Sequence, residues 1–155
     1  APKHVQQFME CNHLRWDSLG EFLALAVSIE DLANKFENPK AKALAEALNK
    51  ANSEFLQQNK SPLRKTGERD NRGSHFYLAL FWAEALANQN KNAELQQTFQ
   101  PVAAKLRSAE ETIMQELNNA QGDIIKMGGY YHANTDKVNA IMRPSQTFND
   151  ILSTI

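Results

Sequence analysis

The sequence predicts a mainly α protein, a helical bundle with an irregular C-terminal tail. Apolar residues recur at helical spacing from Pro2 to about Asn119, as in Leu19, Phe22, Ala26 and Ile29. The stretch from Phe76 to Leu86 is apolar almost all round, as a helix at the centre of a bundle must be. After Asn119 the helical period stops.

The first helix fits Pro2 to Glu10, with Pro2 near its first position and Val5, Phe8 and Met9 on one face. Ser18-Leu19-Gly20-Glu21 has the spacing of a capping box and predicts a second helix from Ser18. Its apolar stripe is Leu19, Phe22, Leu23, Ala26, Ile29 and Leu32, and Asn38-Pro39 ends it. A third helix runs from Pro39 to Gln57, with Ala41, Leu44, Ala45, Leu48, Phe55 and Leu56 on one side. Lys60 to Gly73 reads as a loop, because two glycines, a proline and seven charged residues show no period. Ser74 is the expected cap of the central helix. Asn92 and Pro101 bracket a further amphipathic piece, and the next helix is expected from Pro101 to about Asn118. In the tail, Asp123 to His132 reads as a short extended pair or an ordered loop. Ser145 can cap a last helix that buries Phe148, Ile151 and Leu152.

Composition excludes several function classes. At 155 residues the chain can bury one real core, and its 42% hydrophobic and 23% charged content is that of a soluble globular domain. A net charge of -1 supplies no field for nucleic acid or an anionic membrane. No apolar run approaches the roughly 18 residues of a spanning helix. The single cysteine, Cys11, excludes an internal disulfide and fits a reducing compartment, so a cytoplasmic protein is expected. Pro2-Lys3-His4 enters a structured segment with no initiator methionine, which reads as a piece cut at a domain boundary.

Cations are the candidate chemistry. Lys3-His4, Arg15 in Leu14-Arg15-Trp16-Asp17, and Arg64-Lys65 in the 60–73 loop all sit at helix boundaries or in loops. Arginine and lysine there can converge on a phosphomonoester, whose oxygens match their donors. Equally, five cations in one loop can simply be solvated, and spacing does not decide between the two. His75 reads as a core or capping histidine. Neither a His-Cys nor a paired-carboxylate spacing indicates a metal. Gly128-Gly129-Tyr130-Tyr131-His132 reads as a core plug or as a contact to another domain. Gly-x-Gly-x-x-Gly after a strand, the mark of a Rossmann site, does not occur.

The wording from Ala1-Pro2-Lys3-His4 through Asp70-Asn71-Arg72-Gly73-Ser74-His75-Phe76-Tyr77-Leu78-Ala79-Leu80 resembles one family. Gly128 to His132 and Arg143-Pro144-Ser145-Gln146-Thr147-Phe148-Asn149 extend the likeness over nearly the whole chain. That family is the monomeric-type NADP-dependent isocitrate dehydrogenases, and the match is to their C-terminal segment. The resemblance implies one segment of the large domain, residues 1–155, within a larger α/β fold, with the rest of the same polypeptide as its partner. It implies that Lys3, His4, Arg15 and Arg64 surround the adenosine 2′-phosphate of NADP, with Asp17 also touching the cofactor. The family's catalytic lysine and tyrosine, its substrate ligands and its Mg²⁺- or Mn²⁺-binding aspartates lie upstream, so the segment alone is expected to be inactive. The competing reading is a free-standing helical interaction module that presents the Phe76–Leu86 helix as a groove or dimer face. Phosphate tracking along nucleic acid by the 60–73 loop is disfavoured by the neutral charge.

Overall fold

A computed structural model of the chain describes residues 2–126 and 134–155. It contains α1 (Pro2–Cys11), α2 (Leu19–Lys35), α3 (Pro39–Gln57), α4 (Asn71–Asn88), α5 (Ala93–Ser108), α6 (Glu110–Asn119), α7 (Thr135–Met142) and α8 (Gln146–Leu152). No strand occurs among the described residues. The expected Gly128–His132 stretch lies outside them.

Helix α4 is the axis. It packs against α3 on one side and α5 on the other, and α2 packs against α3. Its inward residues Phe76 and Leu80 are fully buried, with Leu48 and Phe55 of α3, Leu106 of α5 and Ile113 of α6 around them. Aromatic edges lock the layers: Phe22 meets Phe55 at 5.7 Å and Phe76 meets Phe148 at 5.3 Å between ring centroids. Most of the Phe76–Leu86 helix is buried within the chain, with Trp82 only partly so.

Short polar side chains start most helices. Asn38 Oδ1 accepts from Ala41 N at 3.1 Å, with Pro39 next in line, and Asn92 Oδ1 accepts from Leu95 N at 2.9 Å. Ser145 Oγ accepts from Phe148 N at 3.1 Å and donates to Glu116 at 2.7 Å, which fastens α8 to α6. That hydroxyl, then the side chain and backbone of Thr147, hold the Glu116 carboxyl below its usual range.

Several expectations are corrected. Ser18 forms no capping box: its Oγ accepts from Asn71 Nδ2 at 2.7 Å, and Glu21 is taken by the Trp16 indole N–H at 3.1 Å. The first free amide of α2, Leu19 N, goes instead to Asp17 Oδ1 at 3.0 Å. Helix α4 begins at Asn71 rather than after Ser74, because Asp70 Oδ1 takes Arg72 N at 3.0 Å. Ser74 lies buried inside the helix and donates to the Lys60 carbonyl at 2.6 Å. Pro101 sits within α5. Pro101 and Gln97, whose carbonyl the missing N–H leaves free, both face solvent, so water can replace the lost bond. His75 is exposed, its Nδ1 2.9 Å from the Asn71 carbonyl one turn back and its ring edge-on to Phe22. The tail is less irregular than expected, since α7 fills part of it. On α2, Leu23 and Leu32 stay in water with Leu25, Val27 and Phe36, the last 74% exposed, and on α3 Leu56 is exposed as well.

Candidate functional site

Lys3, His4 and Gln7 share one face of α1, by the i, i+3 and i+4 rule. Gln7 Nε2 donates to the Arg64 carbonyl at 3.1 Å, so the loop bearing Arg64 lies directly against that face. After α1 the chain turns at Asn12, whose φ of 49° is left-handed, and runs past Arg15 to Asp17. This segment is pinned to the start of α4. Leu14 N donates to Asp70 Oδ2 at 3.0 Å, Asn71 N donates to the Leu14 carbonyl at 2.8 Å, and Asn71 Nδ2 donates to the Trp16 carbonyl at 2.9 Å. Residues 14–16 are thus fixed at the N-terminus of α4, and the Arg64 backbone lies against the face of α1 that carries Lys3 and His4.

Two kinds of cation stand here. Arg72 is buried, 4% exposed, and uses every guanidinium donor: Asp70 Oδ2 at 2.7 Å, Asn12 Oδ1 and the Asn12 carbonyl, and the Ile141 carbonyl of α7 at 2.8 Å. Asp70 is 1% exposed, and the pair is the closed hub that ties residues 12–14, α4 and α7 together. Arg69 donates to the carbonyls of Asn59, Lys60 and Ser61 and closes the loop on itself. Lys60 Nζ stands 4.1 Å above the Tyr77 ring. Burial and then the neighbouring Arg69 charge pull the Lys60 ammonium below its usual range. Burial, then the hydrogen bond to Glu110, push the Tyr77 phenol up to about 12.

Lys3, Arg15, Arg64 and Lys65 are the other kind. Among the described residues no carboxylate pairs with any of them, and their side chains make no hydrogen bond. Arg64 and Lys3 are exposed; Arg15 and His4 are half-buried. Among the described residues no partner reaches the buried His4 Nδ1. The first turn of α1 contains no acid to offset Lys3 and His4, although the helix dipole there disfavours cations. An anion on this surface answers the charges and the free amides of the first turn together. The side chains of Lys3, His4, Arg15 and Arg64 make no bond to one another, so their grouping rests on the backbone contacts above. Asp17 keeps one oxygen free after capping Leu19.

Pattern reading missed Gln7, His13, Asp70 and Gln121. Polar residues in a loop read as solvated, and only the buried partners opposite them show otherwise. No group of three or more His, Cys, Asp or Glu suited to a metal occurs among the described residues. An apolar cavity of about 270 Å³ lies apart from the cations, between Leu44, Trp82, Leu86, Phe99 and Val102. No helix described is long and apolar enough to cross a membrane.

Comparison with known proteins places the chain. It is 58% identical over 155 residues to isocitrate dehydrogenase (NADP) 2 of Colwellia maris, covering 100% of this chain and 21% of that protein. It is 57% identical over 153 residues to isocitrate dehydrogenase (NADP) of Azotobacter vinelandii, covering 99% of this chain and 21% of that one. With isocitrate dehydrogenase (NADP) 2 of Mycobacterium tuberculosis the identity is 50% over 155 residues, again 21% of the relative. The chain thus spans about a fifth of the length of the curated relatives it matches. Residues 1–153 match the family described as monomeric isocitrate dehydrogenase, and the chain belongs to that family.

Proposed function

We propose that this chain is the C-terminal segment of the large domain of a cytoplasmic NADP-dependent isocitrate dehydrogenase, and that it supplies the pocket for the adenosine 2′-phosphate. The whole enzyme oxidises and decarboxylates isocitrate to 2-oxoglutarate with Mg²⁺ or Mn²⁺, and NADP takes up the hydride. The observation that carries the reading is the set of unpaired cations around α1 and the 60–70 loop. Their donors fit a phosphate dianion. Arg15 and Arg64 are its main ligands, with Lys3 and His4 alongside. Asp17 holds the adenosine side with its remaining carboxylate oxygen.

Charge-assisted hydrogen bonds are worth roughly 1.5–3 kcal/mol each. Three of them exceed the ~2.7 kcal/mol that a hundredfold preference for NADP over NAD requires. The site is open surface rather than a closed pocket, and the nicotinamide end, the metal and the acid–base groups belong to the remainder of the polypeptide. That remainder completes the larger α/β fold. The exposed apolar residues of α2, from Leu23 to Phe36, supply a surface for it to cover.

In the full-length enzyme, Arg64→Ala or Arg15→Ala lowers NADP affinity about tenfold or more while NAD affinity changes little. Equal losses for both nucleotides contradict a 2′-phosphate role. The 155-residue chain alone shows no isocitrate-dependent NADP reduction; turnover by a clean preparation contradicts the division of labour proposed here.

A further inference from the structure

His13 is completely buried, and both of its ring nitrogens are engaged. Nδ1 lies 2.6 Å from Gln121 Oε1 and Nε2 lies 2.8 Å from the Leu63 carbonyl. The Gln121 amide cannot be turned over. Its Oε1 also receives the Gly67 N–H at 2.7 Å, and its Nε2 donates to the Glu68 carbonyl at 2.7 Å. A flipped amide would set N–H against N–H and oxygen against oxygen. Both partners of the ring are therefore acceptors. A neutral imidazole has one donor, so the ring donates to one of these two acceptors and lies against the other.

These contacts grip one piece of chain at both feet. Leu63 is held by the ring, and Gly67 and Glu68 are held by the amide that the ring also holds. Between the feet lie Arg64 and Lys65, with Glu68 N donating to the Lys65 carbonyl at 3.1 Å and Leu63 N to the Arg69 carbonyl at 2.7 Å. Gly67 makes the bend possible with a φ of +93°. On the far side, Gln121 hangs from a strap fixed to α1, since Asn12 Nδ2 donates to the Ala120 carbonyl and Gly122 N to the Cys11 carbonyl. No carboxylate lies within ion-pair distance of the ring among the described residues.

We infer that His13, working through Gln121, is the positioning residue for the Arg64–Lys65 loop and so sets discrimination between NADP and NAD without touching the nucleotide. This rests on the reading of Arg64 as a phosphate ligand, and the test separates the two. Dissociation constants for NADP and for NAD are measured on the full-length enzyme as wild type, Arg64→Ala, His13→Phe and His13→Gln. His13→Phe raises the NADP constant roughly tenfold and leaves NAD within about twofold. His13→Gln, which keeps one donor, recovers part of the loss.

Selective loss in Arg64→Ala with equal or no loss in the His13 variants overturns the positioning role and leaves the phosphate reading standing. Unselective loss in Arg64→Ala overturns both. Gln121→Met, on the half-exposed strap, carries the same expectation if His13→Phe fails to fold.

Discussion

The cations of the 60–72 stretch look alike in sequence and divide into two opposite sets in the fold. Lys60, Arg69 and Arg72 turn inward: one rests on an aromatic face, one closes its own loop, and one is locked to a buried carboxylate. Arg64 and Lys65, flanked by those three, point outward with Lys3 and Arg15 and find no acid among the described residues. The inner set spends its donors on carbonyls and one carboxylate and builds the platform. The outer set keeps its donors for something else. A charged loop of this kind is therefore not one feature but two, and the division follows which donors already have partners.

The sharpest way to break that comparison is at the hub. Arg72→Met leaves Asp70 charged and buried and strips Asn12 and Ile141 of their donors, so stability falls by about 3–5 kcal/mol in urea unfolding. A loss below ~1 kcal/mol would mean that the inner and outer cations are not different in kind.

A second effect is read in alkali. The Tyr77 phenol, raised to about 12 from 10.0, stays protonated in the fold above the pH at which the unfolded chain loses that proton. Its contribution is fully present below pH 10 and is lost as pH rises toward 12, on the order of 2 kcal/mol in all. Tyr77→Phe flattens that part of the stability profile, and an unchanged profile would place the titration elsewhere.

Smaller again is the expected effect of Arg64→Ala and Lys65→Ala on stability, within about 0.5 kcal/mol by thermal unfolding, because neither side chain has a partner to lose. A large drop for either would move it into the inner set.

Much of the architecture is legible in the residues. Asn38-Pro39 starts α3, Ser145 caps α8, and the all-round apolar run from Phe76 marks the central helix. What escapes is where polar residues are buried. Asp70, Asn71, Arg72 and Ser74 read as loop and cap, yet all four lie under 5% exposure at the start of α4. Several of their partners, Asn12, Leu14 and Trp16 among them, sit at least 55 residues away, and no local pattern announces them. Helix α7 is hidden for a different reason: it is 8 residues long, so its Val138, Ile141 and Met142 cover barely one turn, and none of its residues is buried. Ser18-Leu19-Gly20-Glu21 has the letters of a capping box, but Asn71 and Trp16 compete for both side chains and win. At the candidate site, the residue types came from likeness to a family. The fold adds that α1, residues 12–17 and the 63–68 loop share one hydrogen-bonded platform, held by Gln7, His13, Asp70 and Gln121.

The central claim, that the outer cations form a surface for a 2′-phosphate, is tested most directly by calorimetric titration of this chain with 2′-AMP at low salt, with 5′-AMP as the control. The account predicts binding of 2′-AMP that weakens as salt is added, with little binding of 5′-AMP. Equal binding of the two nucleotides, or 2′-AMP binding unchanged in Arg64→Ala and Arg15→Ala, would contradict it.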